Sequence, residues 1–144
     1  MEDCVFCQIV AGLESADVVA ENEDCLAIYP LNMDVNDHLL VLPKNHWATI
    51  FEIPADELAS VSLFVQEVAQ MLREVRGYTG VNLLHASGVD AQQSVGHFHI
   101  HVLPRAKDDQ VNAWPVFSGE SRKTLGLILP QPRLIGGEQI QTID

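Results

Sequence analysis

The stretch GHFHIHVLP, residues 96–104, places a histidine at every second position from 97 to 101, with Phe98, Ile100 and Val102 alternating with them. Strict alternation of polar and apolar side chains is the pattern of a half-buried β-strand, whose successive side chains point to opposite faces. His97, His99 and His101 are therefore expected on one face, and Phe98, Ile100 and Val102 on the face that meets a core. The chain holds six histidines in all. Putting half of them on one strand face gathers like charges at low pH with no gain in packing, so the cluster points to chemistry.

Working outward, DVVAENEDCLAIYP reads as two short strands, about 18–21 and 25–29, joined by a turn-prone segment at Asn22 to Asp24. HLLVLP, 38–43, is a third strand, apolar enough to be central, and NHWATIFEI, 45–53, suits a short helical turn. From Pro54 the apolar spacing changes to threes and fours through Leu58, Val61, Phe64, Val65, Val68, Met71, Leu72 and Val75. That spacing predicts a long amphipathic helix, opened by Pro54 and closed by Gly77, that covers one face of the sheet. GVNLLHA, 80–86, is a fourth strand and GHFHIHVLP the fifth, linked by the polar loop SGVDAQQSV. After Arg105 the periodicity fades, and residues 106–144 read as an irregular extension of the same domain, packed on it or on a partner subunit.

A length of 144 residues and an apolar content of 47% fit one globular domain with a real core. The formal net charge of −12 argues against nucleic acid or an anionic membrane as partner, since both attract basic surfaces. No apolar run approaches the length of a membrane span, and the acidic N-terminus does not read as a signal peptide, so the expected setting is cytoplasmic. Three cysteines then point to thiols or a metal instead of a disulfide framework.

Two groups of residues can carry chemistry. A neutral imidazole can attack phosphorus while a second one protonates the leaving group, and Gln93, Ser94 and the backbone N–H groups of QQSVG offer a cradle for phosphate oxygens. The same histidine pattern can present imidazoles to a catalytic zinc, although residues 102–105 supply no carboxylate to complete such a site. The second group is CVFC, Cys4 to Cys7, whose spacing lets two thiolates grip one zinc ion or form a redox pair; no βαβ pattern surrounds it as a thioredoxin-like site would require. Cys25 lies in an apolar strand and reads as a buried bystander. A four-coordinate zinc on Cys4 and Cys7 would need two histidines besides.

QSVGHFHIHVLPR resembles the signature of the histidine triad (HIT) superfamily, HLLVLPKNH is similar to the strand and histidine that precede it there, and CVFCQIVAG is similar to the opening of its zinc-binding, Hint-like bacterial branch. The resemblance runs from about Cys4 to Arg105. It implies an α+β fold, a five-stranded antiparallel sheet with one long and one short helix, paired as a homodimer, with residues 1–105 as the HIT domain. It further implies hydrolysis or transfer of nucleoside monophosphate groups from phosphoramidates or dinucleoside polyphosphates, attack coming at the α-phosphorus through a nucleotidyl-histidine intermediate. In that reading His99 is the nucleophile, His101 assists proton transfer and phosphate contact, and His38 supports the histidine network. Gln93, Ser94 and Asn32 bind the nucleotide, and Cys4, Cys7, His46 and His97 hold a structural zinc. The alternative within the family is a catalytically weak module that binds a nucleotide or a partner. Pro30 stands where many relatives carry a ribose-binding aspartate, and His85 and Ala86 where relatives often have asparagines near the phosphate. His85 either replaces such a contact or is a satisfied strand histidine.

Overall fold

A computed structural model describes residues 3–114. The part of the expected extension at 115–144 lies outside the described residues. In chain order the elements are α1 (Val5–Val10), β1 (Val18–Glu21), β2 (Cys25–Ile28), β3 (Leu39–Pro43), α2 (Ala55–Arg76), β4 (Gly80–Leu84) and β5 (Ile100–Arg105), with a short 3-10 turn at Val89–Ala91. The strands form one fully antiparallel sheet in the order β1-β2-β3-β5-β4. The α+β class and the five-stranded antiparallel sheet are as expected.

Alternation in the neighbouring interior strands β2 and β3 builds a core on each face. Cys25 and Ala27 of β2 and Leu39 and Val41 of β3 pack with Phe98, Val102 and the buried face of α2. Their neighbours Leu26, Ile28, Leu40 and Leu42 pack on the opposite face with Phe6 of α1. Cys25 is fully buried, and burial pushes its thiol up to about 11, in keeping with an inert core residue.

Helix α2 opens after Pro54 in extended conformation and closes on Gly77 at φ 74°, a left-handed cap that glycine takes without a Cβ clash. Asp56 and Glu57 lie in its first turn and Arg73 and Arg76 in its last, each sign favourable to the helix dipole. Val61, Phe64, Val65, Val68 and Leu72 are buried as the spacing predicts, but Val75 is 74% exposed because the apolar stripe leaves the sheet one turn before the helix ends. The segment before it makes the expected single turn, in which the Glu52 and Ile53 N–H groups both donate to the Thr49 carbonyl.

Two boundaries differ from the sequence reading in a way that matters for the site. Strand β5 starts at Ile100 rather than Gly96, so His97 to His99 precede the hydrogen-bonded ladder although their side chains alternate as a strand's do. Strand β4 ends at Leu84, and His85 begins the loop. The short helix of the fold is α1, which no helical periodicity announces in the sequence.

Candidate active site and metal centre

Helix α1 is only six residues long and has no side-chain N-cap, yet it sets both thiols in place: Cys4 is its N-cap and Cys7 lies in its first turn. His46 follows the end of β3 and His97 precedes β5, which bring two imidazoles to the same spot. The Nδ1 of His97 lies 3.5 Å from Cys4 Sγ and 3.6 Å from Cys7 Sγ, and the Nδ1 of His46 lies 3.2 Å from Cys7 Sγ. All four donor atoms fall within 4.8 Å of one another.

These residues fit a tetrahedral metal ion. Zinc bonds of about 2.3 Å to sulfur and about 2.0 Å to nitrogen imply donor-to-donor edges of about 3.3–3.8 Å, and the three sulfur-to-nitrogen separations above, 3.2, 3.5 and 3.6 Å, lie in or next to that range. The His97 ring is also in the right tautomer: Nε2–H donates to the Pro43 carbonyl at 2.9 Å, which leaves the Nδ1 lone pair toward the thiols. Burial and then the neighbouring Cys4 push the Cys7 thiol up, a cost that a bound cation reverses by stabilising the thiolates.

The same face carries the remaining triad. His99 is 4% exposed, and its Nδ1–H donates to the His97 carbonyl at 2.7 Å, so Nε2 keeps its lone pair. His38, 1% exposed just before β3, accepts the Asp34 N–H on Nδ1 at 3.2 Å; its proton therefore sits on Nε2 and points to His101 Nδ1 at 2.9 Å. His101 in turn carries its proton on Nε2. The His99 and His101 rings meet edge to face with centroids 5.1 Å apart. One imidazole thus presents a lone pair beside another that presents an N–H donor.

Electrostatics keep this pair neutral. Burial pushes His99 down, against the opposing effect of its bond to the His97 carbonyl. Burial, followed by the neighbouring His99 and His38, pushes His101 down to about 4. His38 moves down with burial, partly offset by the Asp34 carboxylate. A neutral imidazole is the nucleophilic form.

Around the triad, the predicted nucleotide-binding residues divide. Gln93 is committed to backbone groups of its own loop and of the segment before α2: Oε1 accepts the Gly88 N–H at 2.7 Å, and Nε2 donates to the carbonyls of Ala48 at 2.7 Å and Val95 at 2.9 Å. Its side chain braces the loop before His97, while Ser94 and Asn32 are exposed on their loops. His85 is a satisfied histidine, with Nδ1–H donating to the His99 carbonyl at 2.7 Å and Nε2 paired with Ser87 Oγ at 2.6 Å.

Two residues outside the sequence-derived set also build the site. Phe6, between the two cysteines, sets its ring edge to face against His97 at 5.7 Å and His99 at 5.3 Å. Its only sequence signal is an aromatic inside the C-x-x-C pair. Asp37, just before His38, holds φ at 57° and accepts the hydroxyls of Tyr29 at 3.1 Å and Tyr78 at 2.8 Å. It ties the loop that carries Asp34 and His38 to the residue after β2 and to the residue after the cap of α2. Neither tyrosine stands in a motif that would have disclosed this.

The sequence profile of the HIT domain family matches residues 12–108. This chain belongs to the HIT family. The HIT protein is 37% identical to "Protein hit" of Bacillus subtilis over 72% of each chain, and 37% identical to a HIT-like protein of Methanocaldococcus jannaschii over 74% of this chain and 81% of that one. It is 34% identical to an adenylylsulfatase of Arabidopsis thaliana over 74% of its own length, but spans only 54% of that relative. Among solved structures, a zinc-bound histidine triad protein of Mycobacterium smegmatis superposes with a TM-score of 0.74 at 33% identity, covering 78% of this chain and 81% of the other. A HIT family hydrolase of Legionella pneumophila gives a TM-score of 0.64 at 32% identity, covering 73% and 95%.

Proposed function

We propose that this HIT protein is a nucleotidyl hydrolase or transferase that cleaves nucleoside monophosphate conjugates, phosphoramidates in preference to dinucleoside polyphosphates, at the α-phosphorus. The observation that carries this reading is the His99 ring: neutral, pinned by Nδ1–H to the His97 carbonyl, with its Nε2 lone pair beside the His101 donor. That is the geometry of an imidazole nucleophile with an adjacent hydrogen-bond donor for a phosphoryl oxygen or leaving atom. The likeness to an adenylylsulfatase supports nucleotidyl chemistry, and the likeness to a HIT family hydrolase supports hydrolysis.

In the proposed reaction the His99 Nε2 lone pair forms a bond to the α-phosphorus as the bond from phosphorus to the leaving nitrogen or oxygen breaks. The leaving atom takes that electron pair under the hydrogen bond of His101 Nε2–H, and an amine departs with one proton from solvent. Water then attacks the phosphorus, the P–N bond returns its pair to His99, and the water's proton goes to solvent. Ser94, Asn32 and the loop shaped by Gln93 hold the nucleotide. Cys4, Cys7, His46 and His97 would hold zinc, which, closed by four protein ligands, supplies folding energy and orientation of His97.

The reading includes a homodimer. Among the described residues strand β4 is a sheet edge, paired with β5 alone, and Val81, Leu83 and Leu84 on it are 43%, 51% and 40% exposed. An unprotected apolar edge of this kind is normally covered, and a second copy of the chain is the occupant we assign. Among the described residues no helix is long and apolar enough to cross a membrane. We place the protein in the cytoplasm, where a reducing environment keeps both thiols available to the metal.

The test is turnover of adenosine 5′-phosphoramidate by wild type and by His99→Asn. Wild type should release the monophosphate while the variant, folded by circular dichroism, releases none. Unchanged turnover in the variant sinks the mechanism; calorimetric binding of the monophosphate without turnover in wild type favours a binding module.

A further inference from the structure

The nucleophile's peptide lies where the sheet stops supplying hydrogen bonds. The β4–β5 ladder runs from Gly80 opposite Arg105 to Leu84 opposite His101 and goes no further, so His99 is two residues beyond its last pair. Backbone polar groups in a buried segment need partners from elsewhere. The Phe98 N–H finds the Trp47 carbonyl at 2.6 Å, and the His99 carbonyl is taken by the His85 ring.

That ring is itself held on three sides. Its face lies on Phe98, with centroids 4.4 Å apart and planes inclined at 32°. Because a carbonyl only accepts, Nδ1 carries the proton, and Nε2 is left to accept from the Ser87 hydroxyl at 2.6 Å. Ser87 Oγ meanwhile accepts the Ile50 N–H at 2.8 Å, which links the ring to the turn before α2. Both ring nitrogens are spent on protein groups, so in this arrangement neither is available to a phosphate.

We propose that His85 is a positioning residue, a side chain that takes over from the ladder at its end, holding the His99 peptide and thereby the direction of the His99 Nε2 lone pair. The inference rests on His99 being the nucleophile. It assigns His85 to the chemical step and not to substrate affinity, because a small misplacement of a reacting atom lowers kcat while leaving ground-state contacts in place.

His85→Phe keeps the ring over Phe98 and removes both hydrogen bonds. His85→Asn places an amide N–H near the position of the imidazole Nδ1 and keeps the bond to His99. With adenosine 5′-phosphoramidate, His85→Phe should lose about 10–100-fold in kcat with KM within about threefold, and His85→Asn should recover to within about threefold of wild type. Equal losses in the two variants, an unchanged kcat in His85→Phe, or a rise confined to KM would each overturn the assignment. Should His85→Phe fail to fold, Ser87→Ala carries the test, with a smaller fall in kcat expected and no change in kcat refuting it. A readout independent of turnover is the ring tautomer at pH 8 by nitrogen NMR, expected as Nδ1–H in the resting protein; an Nε2–H tautomer contradicts the proposal. If His99→Asn retains activity while the tautomer is as expected, the reaction reading has failed and not the His85 contact.

Discussion

Phe6→Ala tests whether the short N-terminal helix is a working part of the site. Phe6 is 5% exposed and is the buried residue of α1. It packs on Leu26, Ile28, Leu40 and Leu42 and sets its ring edge against His97 and His99. Truncating a buried phenylalanine costs about 3–5 kcal/mol, of which each aromatic edge contact accounts for about 0.5–1.5. The helix has six residues, no side-chain cap and no complementary charge in its end turns, so it has little stability of its own and relies on Phe6 and the Cys/His cluster. In the zinc-loaded protein, where the metal holds the helix in place and the ring makes all of these contacts, we expect a loss of about 3 kcal/mol. Urea denaturation reads this as a midpoint lowered by about 1.5 M, for a slope of about 2 kcal/mol/M. With zinc removed by a chelator the helix is already loosened, and the same substitution should cost at least about 1 kcal/mol less, the coupling expected of groups that share one element. Turnover should fall about tenfold in kcat as the His99 ring loses a wall. A loss below about 1 kcal/mol with zinc bound, or an equal loss with and without zinc, would refute the coupling of helix, metal and nucleophile.

Two further perturbations reach other parts of the account. Burial holds His101 down at about 4 and moves His38 in the same direction, whereas both titrate near 6.5 in the unfolded chain. The unfolded state therefore binds more protons below pH 6.5, so the stability these neutral imidazoles allow is complete above about 6.5 and is lost as pH falls toward about 4. Urea midpoints measured across that window should decline in wild type and decline less steeply in His101→Asn; parallel curves would show that His101 does not titrate as described. On the sheet edge, Leu83→Glu puts a charge on an apolar surface that a second copy is to cover, and light scattering should show monomer in place of dimer. A variant that stays dimeric, or a monomeric wild type, removes β4 as the interface.

The alternation in residues 96–104 located both the strand and the shared face of the histidines, because burial of Phe98 and Val102 and the clustering of His97, His99 and His101 obey the same twofold period. The same alternation overran the ladder: Phe98 is core and His97 and His99 face the site whether or not their backbone pairs with a neighbour, and pattern alone does not count hydrogen bonds. Of the four candidate metal donors, Cys4 and Cys7 were marked by their own spacing, whereas His46 and His97 joined them only through the family resemblance, because they lie 39 and 90 residues from Cys7 and no local pattern links them to it. Helix α1 was unmarked, since it lacks a cap, a first-turn acid and a last-turn base, and owes its place to Phe6 and its flanking thiols. The apolar stripe of α2 overshot at Val75, whose exposure depends on where the sheet ends and not on the period. Asp37 carries its left-handed backbone and two tyrosine hydroxyls with no local mark, because its partners lie 8 and 41 residues away.

The covalent role of His99 is tested most directly by catching the intermediate. Wild-type protein mixed with excess adenosine 5′-phosphoramidate, quenched in base within milliseconds and mapped by mass spectrometry should carry one nucleotidyl group on His99, formed and lost at rates that account for kcat. Turnover at full rate with no adduct at any quench time, or with the adduct on a different residue, would contradict the account.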